Sequence, residues 1–151
     1  MNQQQYEALM EMAISREVEA YEFYRKVSER AQNPEVKTVF AQLSQEELGH
    51  KELLTQFKND PAKVMQIQAP QDYKVAEATE LPALSVEMKP ADAIALAMKK
   101  EQQAVEFYRA LEKNATEPEL KTTFANLANM ELGHKHRLEN VFVQIGYPEA
   151  F

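Results

Sequence analysis

A chain of 151 residues can bury one sizeable core and is too short for two ordinary domains, so a single domain is expected. Three glycines and 44% hydrophobic residues favour helices over a turn-rich sheet, and the absence of cysteine excludes disulfides, thiol catalysis and iron–sulfur clusters. The formal charge of -7 argues against a nucleic-acid backbone or an anionic membrane surface as partner, since both require clustered Lys and Arg, and it suits cations instead.

The N-terminal stretch "MNQQQYEALMEMAISRE" has neither a basic start nor an apolar run, and no segment is apolar for the ~18 residues a membrane span needs. A cytoplasmic protein is expected. The first helix, about 3–31, carries an inward stripe of Met10, Ala13, Glu17, Ala20, Tyr24, Val27 and Ala31. It breaks at "AQNPEVK", where Asn33 is a candidate cap and Pro34 sits in the first turn of the next helix. That second helix, about 34–58, has its stripe at Val36, Phe40, Leu43, Glu47, His50, Leu54 and Phe57.

Residues 58–90 contain four prolines and are too many for a tight turn between antiparallel neighbours, so they are expected to be a crossover. A 25-residue helix is about 38 Å long at 1.5 Å per residue, a distance this segment spans easily, which allows the third helix to run parallel to the second. The third helix, about 90–115, has Ile94, Ala97, Glu101, Ala104, Tyr108 and Leu111 on its stripe. After "ATEPELK", with Thr116 as candidate cap, the fourth runs over about 118–145 with Leu120, Phe124, Leu127, Glu131, His134, Leu138, Val141 and Ile145 inward, and Gly146 and Pro148 as stop signals.

The second pair of helices repeats the first. Over 13–51 against 97–135, a shift of 84, 20 of 39 positions are identical, including "EFYR", Pro34/Pro118 and "LGHK". The fold class predicted is therefore all-α: a four-helix bundle of two repeated hairpins joined by a long crossover and related by a pseudo-twofold axis.

Every large residue on the four stripes is apolar or aromatic except four glutamates and two histidines at matched mid-helix levels. A buried carboxylate without a partner costs several kcal/mol or takes up a proton, and no Lys or Arg lies on the stripes to compensate. Two divalent metals would bring +4 against the -4 of the acids and leave both histidines as neutral ligands. The i, i+3 spacing of Glu47/His50 and Glu131/His134 sets each pair on one helix face, able to grip one metal. Carboxylate and imidazole donors suit iron or manganese, and zinc by affinity.

With "ISREVEAYEFY" and "MKKEQQAVEFY" on the first and third helices, and "EELGH" and "MELGH" on the second and fourth, the chain resembles the ferritin-like diiron-carboxylate superfamily, and within it the rubrerythrin family without the rubredoxin domain. The resemblance implies two iron ions in a dinuclear site, with Glu17 and Glu101 as terminal ligands, Glu47 and Glu131 bridging both metals, and His50 and His134 each on one. It also implies that the catalytic groups are these six, acting through the metals. The chain departs from the family in having Ala104 where rubrerythrins carry a further glutamate, and in lacking CxxC pairs, so electrons must come from an external donor. Its symmetric ligand set is nearer that of bacterioferritins, but Leu48 replaces their haem-ligating methionine and no haem is implied.

Around the ligands, the Tyr24 and Tyr108 hydroxyls are placed to donate to a ligand carboxylate, and Phe23 and Phe107 to pack. Glu46, whose repeat partner is Met130, reads as a flanking acid, and His136 as a surface residue. Gly49 and Gly133 each cost a helix interior about 1 kcal/mol against alanine, which suggests either a gap for an oxidant or close helix approach. The functional expectation is reduction of hydrogen peroxide or dioxygen in oxidative-stress defence. Alternatives are a ferroxidase handling Fe(II), an oxygenase with an apolar substrate pocket, and a structural metal-binding bundle without catalysis. Ile14, Val105 and Phe142 as residual apolar surface point to a homodimer.

Overall fold

The computed structural model describes residues 2–60 and 81–145, without the side chains of 144 and 145. Gly146, Pro148, the inward assignment of Ile145 and the middle of the crossover lie outside the described residues. Four α-helices are present among them: α1 (Gln3–Arg30), α2 (Pro34–Lys58), α3 (Pro90–Asn114) and α4 (Pro118–Ile145).

The ends of these helices follow from a few residues. Asn2 caps α1 in a reciprocal pair with Gln5. Asn33 accepts from the N–H groups of Glu35 and Val36 to start α2, directly before Pro34. The equivalent position before Pro118 is Glu117, whose carbonyl accepts from Lys121 N–H as that of Asn33 does from Lys37 N–H; the expected cap Thr116 is one residue too early. Each hairpin turn closes in the same way. Lys37 Nζ donates to the carbonyls of Ser28 and Glu29 at the end of α1, and Lys121 Nζ to those of Glu112 and Lys113 at the end of α3. Both lysines thus bring positive charge to the negative end of a helix.

Two hydrophobic clusters define the topology. One joins the start of α1 (Tyr6, Met10), the end of α2 (Leu54), the end of α3 (Tyr108, Leu111) and the start of α4 (Leu120, Phe124). The other joins the end of α1 (Tyr24, Val27), the start of α2 (Val36, Phe40), the start of α3 (Ile94, Ala97) and the end of α4 (Leu138, Val141). Each helix is therefore antiparallel to its hairpin partner, while α2 and α3 run parallel, with the end of α2 and the start of α3 at opposite ends of the bundle. Leu84, Val86 and Met88, just before α3, pack on the second cluster.

Between the two clusters, halfway along all four helices, lie the buried acids and imidazoles. Backbones approach closely within each hairpin and much less between hairpins, so the mid-bundle layer has room for polar side chains from both. Val105 is buried in the chain itself, and Ile14 and Phe142 pack partly buried against the clusters. Of the three, only Val105 is thus withdrawn from the surface; the exposed large apolar side chains among the described residues are Met130 and Val143. No described helix is long and apolar enough to cross a membrane.

Candidate metal centre

All six residues singled out by the repeat meet in this layer, each at most 5% exposed. They form two overlapping groups of donors, each within a 4.8 Å span: Glu17, Glu47, His50 and Glu131 in one, and Glu47, Glu101, Glu131 and His134 in the other. Glu47 and Glu131 belong to both. The arrangement obeys the pseudo-twofold axis: His50 Nδ1 is 2.7 Å from Glu131 Oε1 and 3.6 Å from Glu17 Oε2, while His134 Nδ1 contacts Glu47 Oε1 and lies 3.7 Å from Glu101 Oε1. The imidazole rings are nearly parallel, 11° apart with centroids 5.8 Å from each other.

Charge is poorly compensated in this cluster. No lysine or arginine among the described residues forms an ion pair with the four acids. Burial, and then the charges of the neighbouring acids, push the Glu47 and Glu131 carboxyls well above the ordinary range. Glu17 is pushed up by burial too, but its proximity to Glu47 and His50 and the hydrogen bond from Tyr108 outweigh this and hold it below the ordinary value. Seven side-chain atoms of these residues are buried without an aligned hydrogen bond in the protein: Glu17 Oε2, Glu47 Oε1, Glu101 Oε2, Glu131 Oε1 and both Nδ1 atoms, several of them crowded against one another, and His134 Nε2 on the far side of its ring. Buried polar atoms are normally satisfied. Orphaned oxygens and imidazole nitrogens that converge on two points fit a pair of divalent cations, which supply the missing charge and the missing partners together.

The tyrosines act across the hairpins. Tyr24 Oη, from α1, donates to Glu101 Oε1 on α3 at 2.5 Å, and Tyr108 Oη, from α3, donates to Glu17 Oε1 on α1 at 2.7 Å. On Glu17 this leaves Oε2 facing His50, whereas on Glu101 the oxygen that Tyr24 holds is itself the one nearest His134 Nδ1. Burial and the nearby acids raise both phenols well above their usual range, so they stay donors. Phe23 and Phe107 pack edge-on against these tyrosines.

A cavity of about 40 Å³ reaches the acids from the α1/α3 side, lined by Glu17, Glu47, Glu101 and Glu131 within and by Arg16, Lys100 and Leu84 farther out. Ala20 and Ala104 line it as well, and their small side chains leave the space open. Sequence reasoning missed Arg16 and Lys100, although they are repeat-related and directly precede Glu17 and Glu101. Arg16 lies over the Phe107 ring and reaches Gln103 O, while Lys100 pairs with Glu19. Gly49 and Gly133 have no part in close packing: a Cβ on either would meet no described atom within 4 Å. Nor does either glycine line the cavity.

Two side chains at the rim complete the inventory. Glu46 pairs with Arg137 at 2.6 Å and also faces His134 Nε2 at 3.5 Å, a contact that its reading as a flanking acid leaves out. Met130, its repeat counterpart, places Sδ 3.5 Å from His50 Nε2. His136 is exposed, as its position off the stripe implies.

Residues 8–143 match the family model for rubrerythrin. Among solved structures, a ferritin-like diiron-carboxylate protein of Thermotoga maritima aligns over 94% of this chain and 96% of its own with a TM-score of 0.71 at 18% identity, a likeness of fold. No curated protein matches the sequence.

Proposed function

The chain belongs to the rubrerythrin family, and from that premise we propose that it is a non-haem diiron oxidoreductase that reduces hydrogen peroxide, or dioxygen, with electrons from an external donor. The observation that carries the proposal is the set of buried, unpartnered carboxylate and imidazole atoms beside a cavity of about 40 Å³. That space suits a molecule of two or three heavy atoms and is too small for an organic substrate, which disfavours an oxygenase.

In this reading Glu17, Glu47 and His50 with Glu131 hold one iron, and Glu101, Glu131 and His134 with Glu47 hold the other. Two adjacent irons supply the two electrons that cleavage of an O–O bond requires. The protein's share is positioning. Tyr24 and Tyr108 fix the terminal carboxylates through the bonds to Glu101 and Glu17. Clusters above and below keep bulk water from the layer.

A ferroxidase is the second reading, favoured by the acidic cavity lining and the net charge of -7; manganese in place of iron would keep a redox role, whereas zinc, which has no redox chemistry, would favour a binding role. A soluble homodimer and a separate electron donor belong to the same proposal. Stopped-flow oxidation of the anaerobically iron-loaded protein, with peroxide and dioxygen at equal concentration, tests it. Faster oxidation by peroxide is expected, preference for dioxygen would move ferroxidase chemistry to first place, and inertness of fully loaded protein to both would end the redox reading.

A further inference from the structure

The outer wall of the cavity that reaches the acids is built on the helices from side chains that are short or tied down. Ala20 and Ala104 carry nothing beyond Cβ, Lys100 is paired with Glu19, and Arg16 lies over the Phe107 ring and reaches Gln103 O. One wall residue is not on a helix. Leu84 belongs to the irregular stretch 81–89 that leads into α3, and among the residues that line the cavity it is the one large aliphatic side chain.

Apolar packing holds this stretch in place. Leu84, Val86 and Met88 lie partly buried against the cluster that joins the end of α1 to the start of α3. A turn between them is closed by Ser85, whose Oγ accepts from Glu87 N–H at 3.1 Å. The Arg30–Glu87 pair, 3.6 Å apart and exposed on both sides, contributes little beside that packing. Val86 shares the anchoring with Leu84 but does not line the cavity. Leucine at such a wall discriminates by size, because each methyl or methylene too many for a packed apolar site costs about 10-fold or more in affinity.

Resting on the dimetal reading above, we propose that Leu84 is the specificity-determining residue of the centre: it is a fixed stop that limits what reaches the metals to molecules the size of peroxide and shuts out branched organic acids. The narrowness of the cavity is then a property of the stretch before α3, not of the four helices that supply the donors.

The test uses the full chain loaded with Co(II), whose d–d bands report a new ligand, and two anions suited to the cationic Arg16 and Lys100 at the mouth: azide, which is slim, and isobutyrate, which is branched. The unsubstituted protein should respond to azide and not to isobutyrate. Leu84→Ala, which removes most of the side chain, should raise the affinity for isobutyrate by at least about 10-fold, a gain that loss of folding cannot imitate. Val86→Ala loosens the same stretch without touching the cavity wall and should gain nothing. Isobutyrate binding as strong in the unsubstituted protein as in Leu84→Ala, no gain in Leu84→Ala, an equal gain in Val86→Ala, or no response of the loaded protein to azide would each overturn the inference. Failure of the unsubstituted chain to bind any Co(II) would instead overturn the metal centre on which it rests.

Discussion

Hairpin 3–58 and hairpin 90–145 are alike at their centres and unlike at their edges. At the centre, Tyr24 on Glu101 is matched by Tyr108 on Glu17, and His50 beside Glu131 by His134 beside Glu47. At the edges Tyr6 has Pro90 as its counterpart, and Glu46 and Arg137 have Met130 and Leu53. The four central contacts join one hairpin to the other, as the rim pair Glu46–Arg137 also does, but only at the centre do Glu47 and Glu131 belong to both donor groups, so that a change in either reaches both metal positions. A rim residue touches one position only and is free to differ.

The largest expected effect separates shared from unshared acids. Glu47→Ala or Glu131→Ala removes a donor from both groups and should abolish binding of two metals per chain, whereas Glu17→Ala or Glu101→Ala should leave one. Metal content after dialysis, by mass spectrometry, reads this directly; identical loss in all four variants would remove the distinction between shared and terminal acids.

Next come the crossed tyrosines. Tyr24→Phe leaves a buried Glu101 oxygen without its donor and Tyr108→Phe does the same to Glu17, at a cost of about 1–3 kcal/mol each in the metal-free fold. Denaturant midpoints should fall by similar amounts for the two, and the metal weakened should be the one on the opposite hairpin. Loss on the tyrosine's own hairpin would refute the crossing.

Tyr6 tests the unmatched end. Its hydroxyl donates to Phe57 O at 2.8 Å, and burial, then Asp60, raise its pKa. The folded value lies above the unfolded one near 10, so this stabilisation is complete below about pH 10 and declines as pH rises toward the folded value. Tyr6→Phe should cost about 1 kcal/mol at neutral pH, and its stability should fall less steeply above pH 10 than that of the unsubstituted chain. The smallest effect is symmetric. Gly49→Ala and Gly133→Ala should each stabilise by about 1 kcal/mol, because the added methyl meets open space among the described residues; a loss of stability in either would contradict that.

Much of this architecture is legible in the chain. The 84-residue repeat, the Pro34 and Pro118 breaks and the alternating three- and four-residue stripes mark four helices and place the six donors inward. What stays hidden depends on which helix faces which. The tyrosines' spacing suggests a partner carboxylate but not that it lies across the bundle. Thr116 competes with Glu117 as a cap until the repeat is aligned on Asn33. Glu46 and Arg137 are 91 positions apart, and although Glu46 breaks the repeat, nothing local indicates the imidazole it faces. Val105 reads as surface because its stripe adjoins the main one, yet a broad hydrophobic face buries it.

The most direct test of the account is a crystal structure of the iron-loaded protein with anomalous diffraction collected at the iron edge. It should show two peaks per chain, one among Glu17, Glu47, His50 and Glu131 and one among Glu47, Glu101, Glu131 and His134. A single peak, or peaks outside this layer, would contradict the dinuclear centre.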